Sequence, residues 1–83
     1  MATTVLRRID QVRNMARFYE LDVQPGPFGD ISVVRHWGRI GSNGQSKQDW
    51  FSTETAATDL ASKLRRQKEK RGYVTPAPSS AQV

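Results

Sequence analysis

The pair Asn43-Gly44 stands between two runs of strand-forming residues, Ile31–Trp37 (ISVVRHW) and Gln45–Phe51 (QSKQDWF). Both residues of such a pair tolerate backbone conformations that other side chains resist, so the segment Gly41–Gly44 predicts a β-hairpin. The run before it, Arg17–Val23 (RFYELDV), alternates, with Tyr19, Leu21 and Val23 on one face and Glu20 and Asp22 on the other. Pro25–Gly29 (PGPFG) breaks this strand, because proline lacks the amide and glycine adopts unusual dihedrals. After the hairpin, Ser52 or Thr53 suits a helix N-cap and Glu54 suits the positive end of the helix dipole. Ala57, Leu60, Ala61 and Leu64 then share one helical face, and Gly72 is a natural stop. The expected fold class is α+β, a small antiparallel β-sheet with one C-terminal α-helix packed across it. The bulk of its core is expected from Phe18 or Tyr19, Leu21, Val33 or Val34, Ile40 and Phe51. Trp50 and Phe51 face opposite ways, so only one of them can point at the helix.

With 83 residues the chain is one small domain, burying only about 60% of its unfolded surface. Residues 1–16 read as a polar lead in which VLRRI forms a short edge strand, residues 17–74 as the domain, and residues 75–83 as a disordered Pro/Ser/Ala-rich tail. The absence of cysteine excludes disulfide staples and thiolate metal sites. The N-terminal segment has no apolar signal region, and no apolar run approaches the roughly 20 residues of a membrane span. These features predict a soluble cytoplasmic monomer. Thirteen Lys and Arg against eight Asp and Glu give a net charge of +5, which favours a polyanionic partner.

Catalysis has little support. The single histidine, His36, has no partner at a diagnostic spacing, the carboxylates are scattered, and no nucleophile, P-loop, HExxH or EF-hand pattern occurs. His36 reads as a surface strand residue. No catalytic residue, metal or cofactor is expected.

Binding has more. The helix end KLRRQKEKR holds six basic residues, and at about 100° per residue Lys63, Arg66 and Lys70 form one stripe nearly opposite Leu60 and Leu64. That stripe is either a solvated face whose cations suit the C-terminal dipole or a surface for phosphates. Trp37 shares a strand face with Val33, Arg35 and Arg39. Two arginines beside a tryptophan make a poor core. They make a good surface for a sugar–phosphate chain, because guanidinium forks grip phosphate and an indole packs on a ribose or base. Asn43 and Gln45 add hydrogen-bonding amides, and glycine amides at the turn can approach a phosphate. The competing arrangement buries Trp37 and leaves Arg35 and Arg39 at exposed strand edges.

At Trp37-Gly38-Arg39, Ile40-Gly41 and Gly44-Gln45 the sequence resembles the WGR domain. That domain is found in DNA-damage-dependent poly(ADP-ribose) polymerases and in short stand-alone bacterial proteins. RFYELDVQP, Phe28-Gly29, Val33–Arg35, the Phe51–Thr53 approach to an alanine-rich helix, and Gly72-Tyr73 extend the resemblance over residues 10–73. The resemblance implies an antiparallel sheet crossed by one helix, and nucleic-acid binding. By position it gives Trp37 the role of packing on a sugar near a 5′ terminus, with Arg39, Gln45 and Lys47 beside it. In the polymerases the arginine of the triplet also docks neighbouring domains, so Arg39 has three candidate partners: DNA, another protein, or its own fold. His36 and Ile31 depart from many relatives, in local charge and in packing. The chain carries no ADP-ribosyl transferase region, so that activity does not transfer.

The resulting expectation is a non-catalytic module binding DNA, or another nucleic acid, at the backbone or at strand ends and nicks, with little sequence specificity. It is nucleoid-associated if bacterial. Its candidate contacts are Arg35, Trp37, Arg39, Asn43, Gln45, Lys47, Lys63, Arg66 and Lys70. The alternative is a protein-interaction adaptor using the Trp37/Arg39 surface, since tryptophan and arginine also anchor protein interfaces.

Overall fold

The computed structural model describes residues 2–76. Four strands, β1 (Ala2–Asp10), β2 (Met15–Pro25), β3 (Ile31–Arg39) and β4 (Gln45–Phe51), form an antiparallel sheet in the order β1-β2-β3-β4, and helix α1 (Glu54–Lys70) follows. The expected α+β class and the single crossing helix are what the structure has.

The lead is more than a short edge strand. All nine residues of β1 pair with β2, from Ala2 opposite Val23 to Asp10 opposite Met15, and Leu6 is fully buried. The β1–β2 turn is built locally: the Asp10 carboxylate accepts from the amides of Val12 and Arg13, and Asn14 takes a left-handed φ of 52°. The expected hairpin exists, but it is not a two-residue turn. Its last cross-strand pair is Trp37 with Gln45, whereas β3 runs on to Arg39 by pairing with β2 alone. Gly41 and Gly44 take the positive φ values that bring the chain round.

One face of the sheet is covered by α1. Leu6, Tyr19, Leu21, Val23, Ile31 and Val33 meet Ala57 there, with Leu60, Ala61, Leu64 and Phe51 packed against them. Of the paired alternatives, Tyr19, Val33 and Phe51 face inward, and Phe18, Val34 and Trp50 face the other way. Ile40 is a correction to the expected core. It is 39% exposed, because it lies past the end of β3, on the side of the sheet away from the helix.

The helix termini follow their capping chemistry. Thr53 Oγ1 accepts from the amide of Ala56, and Glu54 lies in the first turn. At the other end Gly72 donates to Glu69 and Tyr73 to Lys68, with Gly72 at φ 96°, which satisfies two carbonyls a helix end otherwise leaves free. Tyr73 is then buried against Tyr19, and Val74 exchanges two 2.8 Å backbone hydrogen bonds with Arg7 on the outer edge of β1. The expected disordered tail lies, from residue 77 onward, outside the described residues.

Candidate nucleic-acid interface

The pairing registers place an unusual set of side chains on the helix-covered face. Arg8 lies opposite Arg17, and Arg17 opposite Arg39, so three arginines form one row across β1, β2 and β3. On the same face Arg35 lies opposite Lys47, across β3 and β4. Like charges directly opposite one another on a sheet repel. Strands are about 4.8 Å apart, so this row concentrates positive charge at one end of the sheet. The end of α1 adds Lys68 and Arg71, and Arg8 packs against Gly72 at the helix terminus, where the dipole offers partial compensation.

Trp37 stands beside this row. Its indole is half-buried, packed against the core cluster and 6.5 Å from the Tyr19 ring. With Tyr19, Arg35, Leu64, Gln67 and Lys68 it lines an open cleft of about 230 Å³. Trp37 is therefore neither an interior residue nor a free surface one: part of it closes the core and part of it walls the cleft.

Arg35 differs from the edge-exposed arginine of the competing expectation. Its side chain is only 21% exposed, and Nη2 donates to Asp49 Oδ2 at 3.2 Å. Its Nε is buried with no hydrogen-bond partner among the described residues. Burial raises the Tyr19 phenol above its ordinary value of 10.0, with Arg35 pulling the other way. Lys68 holds Nζ 4.7 Å from the Tyr19 ring centroid and 5.4 Å from that of Tyr73. Burial, and then the positive charges of Arg71, Arg17 and Arg35, lower it below the usual 10.5 of a lysine. An anion seated in this cleft would relieve those like charges.

Arg39 donates through Nη1 to the backbone carbonyl of Asn14 at 3.2 Å, so part of its capacity is spent on its own fold. Asn43 is exposed, and its backbone carbonyl, not its side chain, meets His36 Nε2 at 2.6 Å while His36 Nδ1 faces Glu20 at 3.4 Å. His36 thus ties the turn to the sheet. Gln45, opposite Trp37, and Lys47 are exposed at the β4 edge of the patch.

The structure brings Arg35, Trp37, Arg39, Gln45 and Lys47 together. Lys63, Arg66 and Lys70 are exposed on the helix and do not line the Trp37 cleft. Lys68 and Gln67 supply its helical wall instead. Lys68 continues the Leu60–Leu64 spacing by one more step of four, the periodicity that places it under the helix. Arg8 and Arg17 carried no such signal, because the registers that align them with Arg39 depend on turn lengths.

A family model described as the WGR domain matches residues 2–80. The chain is 49% identical over 74 residues to the "Uncharacterized protein y4dW" of Sinorhizobium fredii, an alignment covering 89% of this chain and 36% of that protein. Its fold is similar to a crystal structure of a Bacteroides fragilis protein, with a TM-score of 0.75 and 29% identity over 92% of this chain and 20% of that one. The chain therefore spans only about a third and a fifth of these two longer relatives. With the Trp37-Gly38-Arg39 triplet at the cationic end of a four-stranded sheet, this chain belongs to the WGR-domain family, small domains associated with nucleic-acid binding and generally not catalytic on their own.

Proposed function

We propose that the domain binds DNA without chemistry, at the backbone near a strand end or nick. The observation that carries this reading is the Arg8–Arg17–Arg39 row, continued by Arg35, Lys47 and Lys68 around the Trp37 cleft. A fold that keeps like charges opposite one another has a destabilising feature that a polyanion would offset. The exposed part of Trp37 suits a sugar or a terminal base, which a strand interruption leaves accessible. Such a surface contacts phosphate and sugar and carries little sequence information. Lys63, Arg66 and Lys70 add a second, outlying band of positive charge for a longer duplex.

The test is an NMR titration of the labelled chain with a short duplex carrying a 5′-phosphorylated nick, beside its unbroken counterpart, at low and moderate salt. The expected shifts centre on the Trp37 indole, Arg39, Gly41–Gln45, Lys47 and Lys68, are larger for the nicked duplex, and fade as salt rises. Shifts confined to Lys63, Arg66 and Lys70, or no shift at either salt, would overturn the reading.

A further inference from the structure

The sheet's second face is not covered by the helix. It carries Val5, Phe18 and Val34 at its centre and several exposed apolar side chains around them: Ile9 at 64%, Trp50 at 51% and Ile40 at 39%. Val74, 62% exposed, extends the face beyond β1 through its pairing with Arg7. An exposed apolar surface of this kind on a small domain marks an interaction site.

This face carries carboxylates among its apolar residues. Glu20 and Asp22 lie on β2 in the middle of it, Glu20 3.4 Å from His36 Nδ1 and Asp22 accepting from the Thr3 hydroxyl and the Gln24 amide, with Arg7 and His36 as the basic groups of the face. At the end of the sheet away from Trp37, the Trp50 ring and the Asp30 carboxylate converge over Gly26: a Cβ at Gly26 would lie 2.6 Å from Trp50 Cζ3 and 2.3 Å from Asp30 Oδ1. Asp30 Oδ1 is buried with no hydrogen-bond partner among the described residues, and Phe28 projects from the same loop. The half-exposed Trp50 ring suits a guanidinium or ammonium group through a cation–π contact, and the Asp30 carboxylate beneath it adds favourable charge without being touched.

We propose that this face, open among the described residues, docks a basic, partly apolar segment of a separate protein. Carboxylates among the apolar residues select a cationic partner and repel phosphate, so the face is not a second nucleic-acid surface. It is also the side of the sheet away from the Arg8–Arg17–Arg39 row, so, resting on the DNA-binding reading above, one domain has room for both partners at once. This moves the adaptor role from the Trp37/Arg39 surface to the opposite side of the sheet.

The probe is a random peptide library displayed on phage and panned against the intact chain, with the binders then titrated into labelled protein. The expected binders are enriched in Arg and Lys among apolar residues and shift Val5, Phe18, Glu20, Val34 and Trp50. Glu20→Lys and Trp50→Ala, each with an unchanged fold by amide spectrum, weaken them at least tenfold. Lys68→Met leaves them unchanged, and so does saturation with nicked duplex. Binders with no cationic bias, shifts on the Trp37 side, full retention by both variants, or failure to recover any binder would overturn the proposal. So would concentration-dependent self-association through these residues, which would make a second copy the occupant.

Discussion

Lys68 is a proposed binding residue that the fold holds at a cost to its own stability. Its ammonium lies over two phenol rings and near Arg17, Arg35 and Arg71, and its affinity for a proton is lowered. The unfolded chain holds that proton at the ordinary value of 10.5, so the folded state is penalised at neutral pH, where both states are charged. The penalty disappears as pH rises through the lowered folded value toward 10.5. Lys68→Met therefore leaves the melting temperature unchanged or raises it, while DNA binding weakens and the log–log salt slope becomes shallower by about 0.9. Thermal melts and binding isotherms at several salt concentrations check the two halves separately. At Tyr19 the sign is opposite. Burial raises the phenol and Arg35 lowers it, so Arg35→Ala should move Tyr19 ionisation still further above 10.0, as read from the tyrosine Cζ shift during a pH titration.

At the scale of elements, the hairpin and β1 carry the sharpest consequences. Gly44 has φ 69°, and a Cβ there would lie 2.4 Å from the Trp37 carbonyl oxygen and 2.9 Å from the Phe18 ring. Gly44→Ala combines backbone strain with a clash against backbone that cannot swing away. A loss of about 1–3 kcal/mol in urea unfolding is expected, with Trp37 amide shifts to match. Leu6 is fully buried in the middle of β1, so Leu6→Ala should cost about 2–5 kcal/mol by the same measurement. A loss under 0.5 kcal/mol would mean that β1 contributes little to the stability of the fold. The alternation of Tyr19, Leu21 and Val23, the Thr53 cap and the Gly72 stop were all legible in the sequence, because each rests on neighbours within a few residues. The extent of β1 was not. Its polar residues hide the alternation around Leu6, and its pairing depends on a turn that Asp10 and Asn14 build without glycine or proline.

At the scale of the whole molecule, positive charge gathers at one end of one face. Arg8, Arg17, Arg39, Lys47 and Lys68 converge at one end of the helix-covered face, and Glu20 and Asp22 lie on the other. If those five cations each neutralise a phosphate, the log–log salt slope on duplex DNA should be about −4.5. A slope nearer −1, from isotherms across a tenfold salt range, would restrict the contact to a single phosphate.

The sequence alone determined the element types, the hairpin, the helix with its caps, the net positive charge and the Trp37-centred motif, since local backbone chemistry and residue spacing carry all of these. The tertiary structure decided which arginines face one another, that Lys68 rather than the Lys63–Arg66–Lys70 stripe walls the cleft, and that Trp37 is shared between core and surface. The physical reason is register. A strand's faces follow from its own alternation, but the partner opposite each residue is set by turns and packing that no short stretch of sequence contains.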